Sequence, residues 1–222
     1  MVLLPALIIT SLYIVDLILL VPKYTKSKYD HTPRNTKLVW KGFCIGIPFL
    51  IILTGTLLKT LQQRAGFSDW MFVIAMAFCA VGDIYLEIVF IKGGILFFAG
   101  HLLYVVSLLS IQNSISPVTI VVYICMVSIG SFLTLTKLSK KYRTALIGYN
   151  LAISGSFSLS IPLIMTGRPP FVLLGVGACF LVISDWILAR NKTYGSTYNW
   201  SLVSLLFYFG GQILISTYPF LV

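Results

Sequence analysis

Charge is what this sequence has least of. Only 10% of its 222 residues are Asp, Glu, Lys or Arg, against roughly 25% in an ordinary soluble domain. Acidic residues number six, and the histidines are His31 and His101 alone, which excludes a three-histidine zinc site. The four cysteines (Cys44, Cys79, Cys125 and Cys179) fall in separate apolar runs without Cys-x-x-Cys spacing. That pattern argues against a disulfide framework or a metal cluster and for buried thiols. No basic residue precedes the first apolar run, so no cleavable signal peptide is expected.

What fills the chain instead is hydrophobic residues, at 58%. About 20 apolar residues cross a bilayer as a helix. Eight such runs can be marked: Leu3–Val21, Leu38–Leu58, Trp70–Phe90, Gly94–Ile111, Val118–Leu135, Ala145–Met165, Phe171–Leu188 and Trp200–Leu221. Open backbone is not tolerated against lipid. The expected fold is therefore all-α: a polytopic membrane bundle of about eight helices, forming a single integral-membrane domain over residues 1–222 with the lipid bilayer as its surroundings.

A formal charge of +10 would ordinarily raise nucleic acid as a partner, but the basic residues form no single patch, and none is expected. They sit in short loops. Thirteen of the sixteen, from Lys23 to Lys41, at Lys92, from Lys137 to Arg143, and at Arg190 and Lys192, fall on one face; Lys59, Arg64 and Arg168 fall on the other. Such a bias makes the rich face cytoplasmic and both termini non-cytoplasmic. The sequons Asn191-Lys192-Thr193 and Asn199-Trp200-Ser201 then lie on the cytoplasmic face, unused.

A short internal echo joins the two halves. Asp83 in Gly82-Asp83-Ile84-Tyr85-Leu86 and Asp185 in Ser184-Asp185-Trp186-Ile187-Leu188 close the third run of each half. Four helices per half would give a 4+4 parallel repeat, with halves 1–112 and 117–222.

The intramembrane polar residues converge. Asp16, Asp83, Glu87, Asp185, His101, Tyr104, Tyr149, Asn150, Tyr208 and Gln212 all belong to the cytoplasmic half or mid-depth. Asp83 lies about 7 residues, or roughly 10 Å, from the end of its run. Glu87 shares a helix face with Asp83, and Gln212 with Tyr208. Ionisable groups in apolar runs are costly and mark cavities or partners, so one polar cavity opening to the cytoplasm is expected. Asp16, close to a run's end, is expected to reach the interface, and Glu87 to pair with Lys92 across a short loop or to join the cavity. The opposite face should be comparatively bare.

Gly82-Asp83-x-x-Leu86, Phe97-x-x-x-His101-x-x-Tyr104, Ser184-Asp185 and Tyr208-x-x-x-Gln212 resemble, in combination, the YhhN family of eight-span membrane proteins. Its characterised animal members are lysoplasmalogenases. Thr36-Lys37 resembles the family's Thr-Lys-Pro segment, with Leu38 standing where the proline would be. The resemblance implies hydrolysis of the vinyl ether of a lysoplasmalogen, a lysophospholipid, to a fatty aldehyde and a glycerophospho-alcohol such as glycerophosphoethanolamine or glycerophosphocholine. Such chemistry asks for a general acid, a carboxylate to stabilise the cation and orient water, and a dry site, as in glycoside hydrolysis. Asp83 and Asp185 are the expected carboxylate pair, in either order. His101 is expected to hold water or tune protonation, beside Tyr104 and Glu87, with Tyr208 and Gln212 as supporting donors. Lys37 or Lys41 would meet the phosphate, and Asn150 the substrate. No metal or organic cofactor is required. An endomembrane such as the endoplasmic reticulum is the expected location, and the oligomeric state is left open.

Three other classes compete. An intramembrane aspartyl protease would need Gly-x-Gly-Asp, which Ala80-Val81 breaks, and its Pro-Ala-Leu occurs only as Pro5-Ala6-Leu7. A transporter would carry polar groups through both halves. A non-catalytic lipid-binding protein would have no need of both aspartates.

Overall fold

In the computed structural model, residues 3–30, 32–112, 114–137 and 140–222 are described, and helix is the only regular structure among them. The helices are α1 (Leu3–Ile14), α2 (Val21–Tyr29), α3 (Arg34–Leu61), α4 (Phe67–Ile88), α5 (Phe90–Gln112), α6 (Pro117–Lys137), α7 (Lys140–Met165), α8 (Pro169–Tyr194), α9 (Tyr198–Ser216) and the short α10 (Tyr218–Leu221). α3, α4, α5, α7, α8 and α9 with α10 are each long and apolar enough to cross a membrane, and Pro117–Phe132 of α6 is a shorter apolar helix. Each of the eight apolar runs is helical over most of its length.

Two boundaries differ from the sequence reading in ways that shape the site. A π-helical turn, Val15–Leu20, joins α1 to α2 with helical dihedrals on both flanks. The helix therefore runs on to Tyr29 instead of ending near Val21, and residues 23–29 are helix and not loop. Such π turns often sit at functional places. The second difference lies between α4 and α5, where Val89 alone is extended, at φ −140° and ψ 100°. Lys92-Gly93 thus belongs to α5, and Asp83 sits only five residues from the end of α4.

This abrupt reversal depends on a missing side chain. A Cβ on Gly93 would lie 2.6 Å from the Leu86 nitrogen and 2.7 Å from the Gly82 carbonyl. The backbones of α4 and α5 touch there, as small residues allow in membrane helices. α8 and α9 meet in the same way. A Cβ on Gly177 would lie 2.8 Å from the Gly211 carbonyl, and one on Gly211 2.7 Å from that of Gly177.

α5 also packs on α7, and α7 on α6 and α8, while α2, α3 and the π turn close the bundle against α9. The core threads the middle, with Val21, Tyr24, Cys44, Ile52, Phe72, Met76, Cys79 and Phe209 fully or almost fully buried. All four cysteines are free, but Cys125 is exposed, contrary to the expectation that every thiol is buried. Asn191 is buried within α8, so the first sequon is not on a loop.

Candidate active site

α4 ends, α5 begins, α7 begins, α8 ends and α9 begins at one end of the bundle, and a cavity of about 440 Å³ opens among them. Its polar wall is Lys28, Lys41, Asp83, Glu87, Tyr149, Ser184, Asp185, Ser204 and Tyr208. Its apolar wall includes Phe90, Ile91, Ile95, Phe98, Leu188 and Leu205. The size is that of a small-molecule site, with convergent polar groups on an apolar surround.

The two aspartates reach this cavity from different helices and in different company. Asp83 of α4 is buried, and its Oδ1 lies 2.9 Å from the Lys41 ammonium of α3. Its Oδ2 is buried without a hydrogen-bond partner. Asp185 of α8 accepts a hydrogen bond on Oδ2 from the Tyr149 hydroxyl at 2.8 Å, and no ion pair holds it among the described residues.

Behind Tyr149 stands His101. Its Nε2 is 3.3 Å from the Tyr149 hydroxyl and its Nδ1 3.3 Å from the Ser156 hydroxyl. Since Tyr149 donates to Asp185, the Nε2 hydrogen fits the Tyr149 oxygen, which puts His101, Tyr149 and Asp185 in one hydrogen-bonded file. His101 is almost fully buried and does not line the cavity. It meets the cavity wall at Tyr149.

Glu87 faces the mouth. It pairs with Lys41 at 3.4 Å and Lys28 at 3.5 Å, and accepts from the Tyr24 hydroxyl. Arg34 donates to its backbone carbonyl at 3.1 Å. The pairing with Lys92 drawn from the sequence is replaced by this cluster because α4 turns straight into α5, leaving Lys92 exposed within the helix.

Tyr208 lines the cavity with its hydroxyl unpartnered. Gln212, one turn on, lies beneath the cavity wall, where its Oε1 accepts from the Tyr104 hydroxyl at 3.1 Å. Tyr104 also contacts the Met76 sulfur at 3.6 Å. These two buttress the site and do not line it. Asn150 points elsewhere, donating to the Val127 carbonyl at 3.2 Å and approaching the Ser131 hydroxyl at 3.4 Å on α6. Lys37 is absent from the cavity wall.

Sequence reasoning passed over Lys28 and Tyr24 because it took their segment for loop. It noted Tyr149 but assigned the role to Asn150, although neighbouring helical residues face about 100° apart. Asp16 does not reach the interface. It is fully buried in the π turn, with both oxygens unpartnered and the Cys44 thiol beside it.

The opposite end is not bare either. Lys59 of α3 and Asp69 of α4 form a buried pair at 2.8 Å. Asp69 Oδ2 also accepts from the Gly66 backbone at 2.8 Å, and the Lys59 ammonium sits 5.8 Å from the Tyr218 ring centre.

Fold and site together define a multi-pass helical membrane protein with a one-ended, acid-lined cavity. The chain belongs to the YhhN family, whose model matches residues 36–218. No curated protein and no solved structure matches it.

Proposed function

We propose that this protein is a lysoplasmalogenase-like ether hydrolase, cleaving the vinyl ether of lysoplasmalogens in the cavity between α4 and α8. The observation that carries this reading is that Asp83 and Asp185 line one cavity, one held by a cation and the other only by a neutral hydroxyl. Vinyl ether hydrolysis needs two such carboxyl groups in unlike surroundings.

Asp83 takes the anionic role, since Lys41 faces it, and Asp185 takes that of proton donor. Asp185 delivers its proton to the β-carbon of the vinyl ether, and the ether oxygen shares the resulting positive charge. Water, with Asp83 Oδ2 accepting its hydrogen bond, adds to the α-carbon, and its proton passes to a carboxylate. The hemiacetal breaks its carbon–oxygen bond, and a proton goes to the departing glycerol oxygen. The products are a fatty aldehyde and glycerophosphoethanolamine or glycerophosphocholine, with one water consumed and no electron exchanged. Tyr149, backed by His101, orients Asp185. Lys28 and Lys41 face the phosphate as donors, with Lys28 in the place first given to Lys37.

The family and the charge bias support a wider proposal. The chain forms one eight-span domain with α1 to α2 and α6 among its spans, both termini non-cytoplasmic and the cavity opening to the cytoplasm of an endomembrane such as the endoplasmic reticulum. The 4+4 duplication is supported by the two aspartates, Asp83 near the end of α4 and Asp185 in the second half of α8, which line the same cavity.

The test is aldehyde release from a lysoplasmalogen by the purified protein in detergent, beside Asp83→Asn and Asp185→Asn and an ester-linked lysophospholipid control. Loss of turnover by about 10² to 10⁴ in both folded variants is expected. Turnover in the variants would remove these residues from the chemistry. No aldehyde from a folded wild type would leave a lipid-binding or transport protein.

A further inference from the structure

The cavity has two unlike walls, and the charged groups of its mouth account for only one of them. On the other wall, two glycines face open space. Gly94 of α5 and Gly148 of α7 both line the cavity, and a Cβ built on either meets no atom of the described residues within 4 Å. This contrasts with Gly93 and Gly82, whose missing side chains are filled by a neighbouring backbone. Beside Gly94, Ile91 and Ile95 line the cavity and yet are 44% and 60% exposed. Side chains that line the cavity and stay this exposed mark its rim. Leu188 of α8 lines the cavity from across it, and Phe98 from further along α5.

We propose that this apolar side, between the start of α5, the start of α7 and the end of α8, is a groove open to the bilayer that holds the hydrocarbon chain of a single-chain lipid. The proposal rests on the hydrolase reading for the polar end of that lipid. The groove itself follows from its lining. Aliphatic and aromatic side chains with two bare glycines leave a slot for methylenes and offer them no hydrogen bond. Among the described residues, the charged cluster of Lys28, Lys41 and Glu87 stands on one wall of the cavity, which suits one head and one tail. The chain lies with its first carbons beside Asp185 and its remainder passing Gly148 and Gly94 into the membrane.

The groove is tested by filling it. Gly94→Leu and Gly148→Leu place a side chain in the slot, and turnover is compared between a long-chain lysoplasmalogen and a short-chain, water-soluble alkenyl analogue. The ratio of kcat/KM for long over short chain is expected to fall about tenfold or more, since displacing a few methylenes suffices. An unchanged ratio, with both substrates affected alike, would overturn the groove. A second measurement does not depend on turnover. A non-hydrolysable ether lysophospholipid with a photoreactive diazirine in its tail is crosslinked to the wild type, and the labelled residues are mapped. Labelling around Ile91, Ile95 and Leu188 is expected, and labelling confined to other helices would overturn the groove. Labelling there in a protein that releases no aldehyde would keep the groove and remove the hydrolase. Aldehyde release with labelling elsewhere would do the reverse.

Discussion

α3 and α4 are joined by two buried lysine–aspartate pairs, one at each end, and only one of them is closed. At the far end Lys59 meets Asp69 at 2.8 Å, the second carboxylate oxygen takes the Gly66 N–H, and the Tyr218 ring covers the ammonium. Both oxygens are satisfied, and neither residue lines the cavity of the other end. At the near end Lys41 meets Asp83 at 2.9 Å, but the ammonium is shared with Glu87 and the second Asp83 oxygen has no partner. The same two residue types on the same two helices thus form a clamp at one end and an open site at the other. What separates the two ends is whether the acid's lone pairs are used up, since an unsatisfied buried acceptor is costly and leaves Asp83 free to take a new partner from the cavity.

The sharpest way to break the comparison is to neutralise each aspartate. Asp83→Asn removes the proposed activity, as argued above, yet leaves Lys41 with Glu87 as a partner, so its melting temperature stays near that of the wild type. Asp69→Asn leaves Lys59 buried without a counter-charge and is expected to cost about 3–5 kcal/mol of stability, while the folded fraction turns over normally. Replacing both members, as Lys59→Met with Asp69→Leu, recovers most of that loss, because an apolar pair of like volume replaces a clamp well. Thermal melts in detergent alongside aldehyde release decide it. Should Asp69→Asn lose turnover at unchanged stability, the far pair is no clamp.

That far pair also marks where sequence reading stopped short. Lys59 stands near the end of an apolar run and was read as a loop charge on a bare face, because nothing in the spacing says that Asp69 reaches back to it. The near end was far more legible. Asp83, Glu87, Asp185 and Tyr208 were recognisable because charge and polarity are costly in apolar runs, and all four line the cavity. The length of the apolar runs placed each in a helix but could not foresee where a helix fails to stop. The π turn carries the chain on to Tyr29, and Val89 turns it in one residue. Those two backbone details put Lys28 and Tyr24 beside Glu87 and took Lys92 away. Asp16 was misplaced for the same reason.

A smaller effect sharpens the difference between the aspartates themselves. Asp83 is oriented by a cation and Asp185 by the Tyr149 hydroxyl at 2.8 Å. Tyr149→Phe keeps the ring against His101, whose centroid is 5.4 Å away, and removes only the hydrogen bond. The net worth of one such bond is about 1 kcal/mol, so kcat is expected to fall about fivefold with KM little changed. The pH profile of kcat should move as well, because Asp185, the proposed proton donor, loses its orienting partner. A lower melting temperature with an unmoved profile would make Tyr149 a packing residue.

The smallest effect on turnover is expected one residue further on. Asn150 follows Tyr149 in α7, but the helix turns its amide onto α6, where it donates to Val127 and meets Ser131, while Ser154 approaches its carbonyl oxygen at 3.5 Å. None of those groups lines the cavity. Asn150→Ala should therefore loosen α6 from α7, lowering stability by about 1–3 kcal/mol, with kcat of the folded protein within about twofold of the wild type. Two adjacent residues of one helix would then divide the roles, Tyr149 moving turnover and Asn150 moving only the melt. If Asn150→Ala instead lost turnover at full stability, α6 would have to belong to the site, and the cavity would extend past the wall that Gly148 and Tyr149 now form.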